Sequence, residues 1–338
     1  MIYLTRTVKE KNSSVRTRSL IRLFERLRQF STDDFFEISS TLFAAIVVVI
    51  LALTAVVLTR GSIPAFDAYG ISFVFGSDWS AVAGREVYGA LPYILGTLVT
   101  SAIAMGVGVP ISLGIAIFLA EMAPGSIRNP LSQLIEILAA VPSVIYGFWG
   151  LLVFRFWIVD LIEKPLSRDF GTIAVFQGTP FGLDILTAGL ILAIMIIPTV
   201  SSISKEVMMA VPSSQREAAY SIGATRWEVV RIGVLNYSRS GIFGAAILGL
   251  GRAVGETMAV TMVIGNAIGP AAFPGSLFQS GQTLSSLIAN EFGEANPGSL
   301  LLSSLIGLGL ILFAFALIIN VFAQLMVWKV LRVKGRVE

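Results

Sequence analysis

Neither cysteine nor histidine occurs in the 338 residues. Their absence excludes a disulfide, a thiol or imidazole nucleophile, and any metal site built on sulfur or imidazole ligands. It leaves the redox compartment open. Charge is nearly as scarce: Asp, Glu, Lys and Arg make up 13% of the chain against 55% hydrophobic residues, and mean hydropathy is +0.83. A soluble chain of this size could not cover its surface with so few polar groups, so the class is membrane protein. The net charge of +3 then reports orientation in the bilayer and contact with lipid rather than a nucleic-acid partner. A nucleotide loop is missing too. The glycines of GLGRAVGETMAV, Gly249 to Val260, superficially suggest one. The P-loop pattern, however, needs a lysine before its hydroxyl residue. Gly255-Glu256-Thr257 puts a carboxylate there, which would repel phosphates. No cofactor, metal or catalytic constellation is predicted.

What is there is a series of long apolar runs, at about 40–59, 91–119, 131–154, 185–204, 236–265 and 299–328. Each reaches the roughly 20 residues needed to cross the hydrocarbon. Six spans place both termini on one side. Eight Lys/Arg lie between Arg6 and Arg28, four in the C-terminal tail, and Lys205, Arg216, Arg226 and Arg231 follow the fourth span. The loop from about 266 to 298 carries only Glu291 and Glu294. The positive-inside rule therefore puts both termini and the 205–232 loop in the cytoplasm.

The organisation expected is as follows. Residues 1–38 form a basic segment with Leu20, Phe24 and Leu27 on one helical face, lying on the cytoplasmic membrane surface; a solvated tail is the competing reading. A cleaved signal peptide is not expected, because the apolar run starts too late and lacks a small-residue cleavage site. Residues 39–60 are the first span, 61–90 an external segment, 91–328 the transmembrane core, and 329–338 a cytoplasmic tail. The 155–184 stretch is also too polar to span and carries turn formers. Pro110, Pro142 and Pro198 fall inside spans, tolerated where neighbouring helices satisfy the freed carbonyls.

Two opposite charges, Arg252 and Glu256, sit within the fifth run. At i and i+4 they would share a helix face and pair. One reading is an ion pair that locks helices together. The other is an anion site: Arg252 offers its guanidinium fork, and Glu256 holds Arg252 between passages so that the anion is not trapped. Glu136 and Glu121, near the membrane surface, are expected to be solvated or capping.

The cytoplasmic loop carries explicit punctuation. Ser214-x-x-Glu217 and Thr225-x-x-Glu228 each fit a capping box, Gly223 fits a left-handed helix end, and Asn236 could cap the fifth span. Two short helices around Gly223 would make a rigid knob within a coupling loop at 205–235.

Glu217-Ala218-Ala219, three residues, Gly223, and Leu235 twelve positions on resemble the EAA loop of ABC importer permeases. That family usually has isoleucine where this chain has Gly233, and proline where it has Asn236. The stretches GLGRAVGETMAV, IEILAAVPSVIYGFWGL, YGALPYILGTLVTS and LIANEF further resemble the phosphate-specific ABC importer permeases, over essentially the whole chain from about residue 40. The resemblance implies an all-α polytopic membrane protein with six transmembrane helices and the type I ABC importer permease fold. It implies a subunit that lines a path for inorganic phosphate and hydrolyses nothing itself. The implied partners are a PstA-like permease, two copies of a PstB-like ATPase, and a PstS-like phosphate-binding protein; the loop of Glu217, Ala218, Ala219 and Gly223 is implied to be the coupling element that docks into a cleft of the ATPase. An ion-coupled secondary anion transporter, and an ABC permease for sulfate or molybdate, are the alternatives.

With no native cysteine, topology is directly testable. Ser214→Cys is expected to react with an impermeant thiol reagent only from the cytoplasmic side, and Ser280→Cys from outside. Labelling of Ser214→Cys from outside intact cells would overturn the orientation.

Overall fold

The computed structural model describes residues 32–82 and 84–330. The basic segment up to residue 31 and the tail beyond residue 330 lie outside the described residues. The described residues fall into two compact units divided between Val57 and Leu58. Among them, five helices are long and apolar enough to cross a membrane: Phe35–Tyr69, Leu91–Met122, Ser143–Phe170, Ile185–Met209 and Leu300–Leu325.

Helix α1, Thr32–Tyr69, runs through Pro64 into the stretch expected outside the membrane. A small antiparallel hairpin follows, β1 (Trp79–Ser80) on β2 (Val87–Tyr88). Helix α2, Leu91–Ile117, starts with proline in its first turn, where no N–H is needed. It ends in a wider i→i+5 turn at Phe118–Met122. Helix α3, Gly125–Ala140, has no buried residue, and Val141 and Pro142 separate it from the next crossing helix. The run expected at 131–154 is thus two elements. A residue before proline is pushed out of the helical region, and Val141 is extended at φ −64°, ψ 127°. Helix α4, Ser143–Phe170, continues well into the stretch expected to be external. Along it, Arg155 stacks over the rings of Phe156 and Phe181, and Lys164 pairs with Asp160.

Helix α5, Ile185–Met209, is the most buried of the long helices. Asp184 caps it, accepting the Thr187 N–H at 2.8 Å, while the Ile185 and Leu186 N–H groups donate to the carbonyls of Gln279 and Leu277. The free donors of a helix start are thereby satisfied. After α5 come two short helices, α6 (Ser213–Ser221) and α7 (Arg226–Val229). A wide-turn segment, Val230–Leu235, leads without interruption into α8, Asn236–Gly255. Asn236 therefore caps nothing. The run expected as a fifth span continues past a break as α9, Met258–Val263. Helix α10, Leu284–Glu291, is opened by a capping box between Thr283 and Ser286, and α11, Leu300–Val330, closes the described chain.

Lipid tails give apolar side chains little reason to leave them, so membrane helices associate through close backbone approach at small residues. Helices α2, α5 and α8 follow that rule. A Cβ at Gly189 would stand 2.6 Å from Ile103, one at Gly108 would stand 2.8 Å from Ile196, and one at Gly249 would stand 2.6 Å from Val200. Gly96 of α2 is tighter still, against the backbone carbonyl of Gln282, whereas Gly106 faces open space.

A rigid carbonyl cannot yield as a side chain can. Gly96→Ala is therefore expected to destabilise the protein by about 1–3 kcal/mol, the usual range for overpacking, and Gly106→Ala to leave it unchanged. Thermal unfolding of the two variants in detergent checks this; equal midpoints would remove the close-packing account.

Candidate functional site

The first candidate is the break between α8 and α9. Helix α8 ends at Gly255, and Glu256 is extended at φ −69°, ψ 129°. Arg252 and Glu256 therefore do not share a helix face. Among the described residues the ion pairs are Arg216–Glu121 and Lys164–Asp160, so the expected Arg252–Glu256 pair does not form. The physical reason is local. Once the helix stops, the Glu256 carboxylate turns forward and accepts the N–H of Ala259 at 3.2 Å, satisfying a donor that the new helix start would leave bare.

The break is held from a neighbouring element. Ser285 of α10 donates its hydroxyl to the Glu256 carbonyl at 2.8 Å, and Thr97 of α2 accepts the Leu284 N–H at 3.1 Å. Arg252 is left half-buried on α8, its Nη1 donating only a long 3.4 Å bond to the Thr199 hydroxyl of α5. Thr199 follows Pro198, inside α5. Among the described residues, the arrangement is a guanidinium without a paired carboxylate, between two packed membrane helices and four residues before an interruption. An intramembrane charge of this kind normally faces a protein interior or a water-filled path. Chemically it can offer a planar fork of N–H donors to an oxyanion.

At the N-terminal end of α5, the 174–183 and 275–280 segments border an open cavity of about 580 Å³. Gln177, Thr179, Ser276, Gln279 and Ser280 line it, with no charged side chain. Nearby, Glu291 of α10 accepts the Trp79 indole N–H at 2.8 Å and so pins the hairpin to α10. Burial pushes the Glu291 carboxyl above its ordinary range; the Trp79 bond opposes this and Glu294 reinforces it.

The second candidate is the knob of α6 and α7. Gly223 has φ +80° with nothing within 4 Å of the place a Cβ would occupy, so only its left-handed backbone demands glycine. Thr225 and Glu228 form the expected capping box. The Thr225 N–H and hydroxyl hold the Glu228 carboxyl below its ordinary range. The box is therefore intact above that range and lost as pH falls through the depressed value. The other expected box is absent: Pro212 stands at the start of α6 with no side-chain cap, and Ser214 and Glu217 are exposed. With Pro212 as the residue before its first turn, α6 starts two residues earlier than the Ser214 pattern predicts. Ala219 is buried and Ala218 exposed, while Tyr220, Ile222 and Trp227 present large apolar surfaces outward.

The structure corrects the expectation for Glu121. It is neither solvated nor a cap: its carboxylate takes a two-pronged contact from Arg216, with Nη2 to Oε1 at 2.7 Å. Opposite charges at a span end and in a loop on the same side were the available signal. Glu136 is exposed on α3 as expected. Gly233, where the resemblance leads one to expect isoleucine, lies under α6; a Cβ there would stand 3.1 Å from the Gln215 carbonyl.

Comparison with known proteins agrees with this architecture. Residues 112–332 match the family described as binding-protein-dependent transport system inner membrane component. The phosphate transport system permease protein PstC of Haemophilus influenzae is 44% identical over 308 residues, spanning 90% of this chain and 96% of that protein. The PstC of Pasteurella multocida is 44% identical over 315 residues, spanning 92% and 96%. Among solved structures, a bacterial ABC transporter involved in import of the acidic polysaccharide alginate aligns with a TM-score of 0.53. The match covers 86% of this chain and 96% of that one at 15% identity, and shows the fold alone. The helical ABC importer permease fold expected from the sequence is the one found, in a multi-pass protein of the inner membrane. The chain belongs to the family of binding-protein-dependent transport system inner membrane components, and within it to the PstC permeases.

Proposed function

We propose that this chain is one of two pore-forming subunits of an ATP-driven importer of inorganic phosphate, with hydrolysis carried out on a separate ATPase. The relatives are phosphate transport system permeases, which supports the substrate. The observation that carries the mechanism is Arg252, a membrane-embedded guanidinium with no carboxylate at ion-pair distance among the described residues. Phosphate passing along α8 would meet a fork already free to receive it. Its bond to Thr199 is long and easily exchanged. Glu256 stays engaged at the start of α9 and adds negative charge close by. A nearby carboxylate weakens anion binding, which conduction needs if the site is to empty.

The knob of Glu217, Ala218, Ala219 and Gly223 is this chain's docking element for a PstB-like ATPase, of which the assembly carries two copies, on the cytoplasmic side. Its exposed Tyr220, Ile222 and Trp227 suit a hydrophobic cleft on a partner. A PstA-like permease completes the pore and a PstS-like protein delivers phosphate outside. Both termini are cytoplasmic by the charge distribution.

Arg252→Gln is expected to lower phosphate uptake at least ~100-fold while the ATPase still co-purifies, because the amide keeps volume but not the charged fork. Uptake within twofold of the parent would sink the phosphate-contact reading. Glu256→Gln retains an acceptor for the Ala259 N–H and is expected to accumulate normally in the membrane.

Gly223→Asp forces a side chain into a left-handed backbone, and Glu217→Lys reverses an exposed charge on the docking face. Both proteins are expected to reach the membrane yet lose ATPase association or transport-linked hydrolysis. Full ATP-driven uptake with both changes present would remove the docking assignment.

A further inference from the structure

The knob is attached to its neighbours by more than the chain. Helix α6 is joined covalently to α5 through Ala210–Pro212, and to α8 through α7 and the wide-turn segment. To α2 it has no such connection; Arg216 and Glu121 are 95 positions apart. One side chain nevertheless spans the gap. The Arg216 guanidinium donates from Nε and Nη2 to the Glu121 carboxylate, from Nη1 to the Val211 carbonyl at 2.6 Å, and from Nη2 to the Met208 carbonyl at 3.0 Å. It therefore fixes the end of α5 and the end of α2 to α6 at once. Arg226 of α7 donates to the Glu121 backbone carbonyl at 2.6 Å, so the second knob helix grips the same residue. Arg128 of α3 holds the carbonyls of Ala120 and Ala123, each at 3.2 Å.

An exposed ion pair would carry little mechanical meaning. The Lys164–Asp160 pair, with side chains 61% and 64% exposed, is of that kind. Arg216 and Glu121 are 24% and 11% exposed, and their contact is two-pronged, the geometry that fixes orientation as well as distance. Two of the helices that leave this cluster have a wide turn beside it, at Phe118–Met122 on α2 and at Val230–Leu235 before α8. Turns of that kind recur at functional sites within helices. The buried, side-chain-free Gly233 brings the second of them against the α6 backbone.

We propose that the Arg216–Glu121 pair is the link by which displacement of the knob is passed to the second membrane span, making both positioning residues for coupled transport. This rests on the reading of the knob as the ATPase-docking element. Without the pair, α6 still moves α5 and α8 through the chain, while α2 is released. Hydrolysis then continues and productive movement of the path is lost.

The test uses the assembled transporter in phospholipid vesicles, measuring ATP hydrolysis and uptake of radiolabelled inorganic phosphate together. Glu121→Gln is expected to keep the ATPase bound and hydrolysis above half the parental rate, while phosphate imported per ATP falls at least tenfold. Arg216→Lys, which keeps charge but lacks the planar fork that reaches Glu121, Val211 and Met208 from separate nitrogens, is expected to fall in the same direction. Asp160→Asn, which removes the exposed pair, serves as the control and stays at the parental ratio. A ratio within twofold of the parent in both variants, with the ATPase bound, overturns the link alone. Failure of the ATPase to bind even the parental chain overturns the docking reading, and the link with it. If neither variant accumulates in the membrane, the pair is a folding contact and the proposal fails.

Discussion

In hydrocarbon, a backbone N–H or carbonyl without a partner costs several kcal/mol, because no water is there to supply one. The chain interrupts its helices in spite of this, and the interruptions described above are matched by side chains brought from elsewhere. Ser285 holds the Glu256 carbonyl, Glu256 holds the Ala259 N–H, and Tyr146 holds the Leu138 carbonyl at the end of α3. The segment between α9 and α10 depends on the same device, with Tyr93 accepting the Gly269 N–H. Each break is therefore a tertiary structure in miniature. Its position is fixed by the neighbour that satisfies it.

That requirement explains why Arg252 is available. A continuous α8 would have brought Glu256 over Arg252 and neutralised it. Ending the helix at Gly255 turns the carboxylate toward a different task, and the guanidinium keeps only a weak hydroxyl contact. The close packing of α2, α5 and α8 at Gly108, Gly189 and Gly249 in turn keeps the helices around Arg252 in fixed register. Small residues and unsatisfied backbone thus act together: the first set the frame, and the second decide where charge is left free.

How much of this was legible in the sequence follows from how local each cause is. The apolar runs and the charge bias are local, and they gave the membrane class and the helical architecture. The Gly223 turn and the Thr225–Glu228 box depend on a few neighbouring residues, and both appear as expected. The Ser214–Glu217 pattern was just as local but lost to Pro212, which fixed the start of α6 first. The break at Glu256 was hidden because its satisfying partner, Ser285, is 29 positions away. Pro142 could have been read as a boundary; the unbroken apolar run on either side concealed it. The Glu121 contacts were invisible to any reasoning confined to one helix, since they converge from α6 and α7 on the end of α2.

The cavity at the N-terminal end of α5 offers hydroxyls and amides but no cation. A cleft lined with one sign of charge can raise encounter rates by about 10 to 10³, and this one lacks that lining. Hydrogen bonds from such hydroxyls and amides are screened little by salt, so a polar group held by these walls alone would be held almost equally at low and high ionic strength. The positive charge at this end of α5 stands outside the lining, on Arg155, whose guanidinium lies 5.6 Å from the centre of the Phe181 ring.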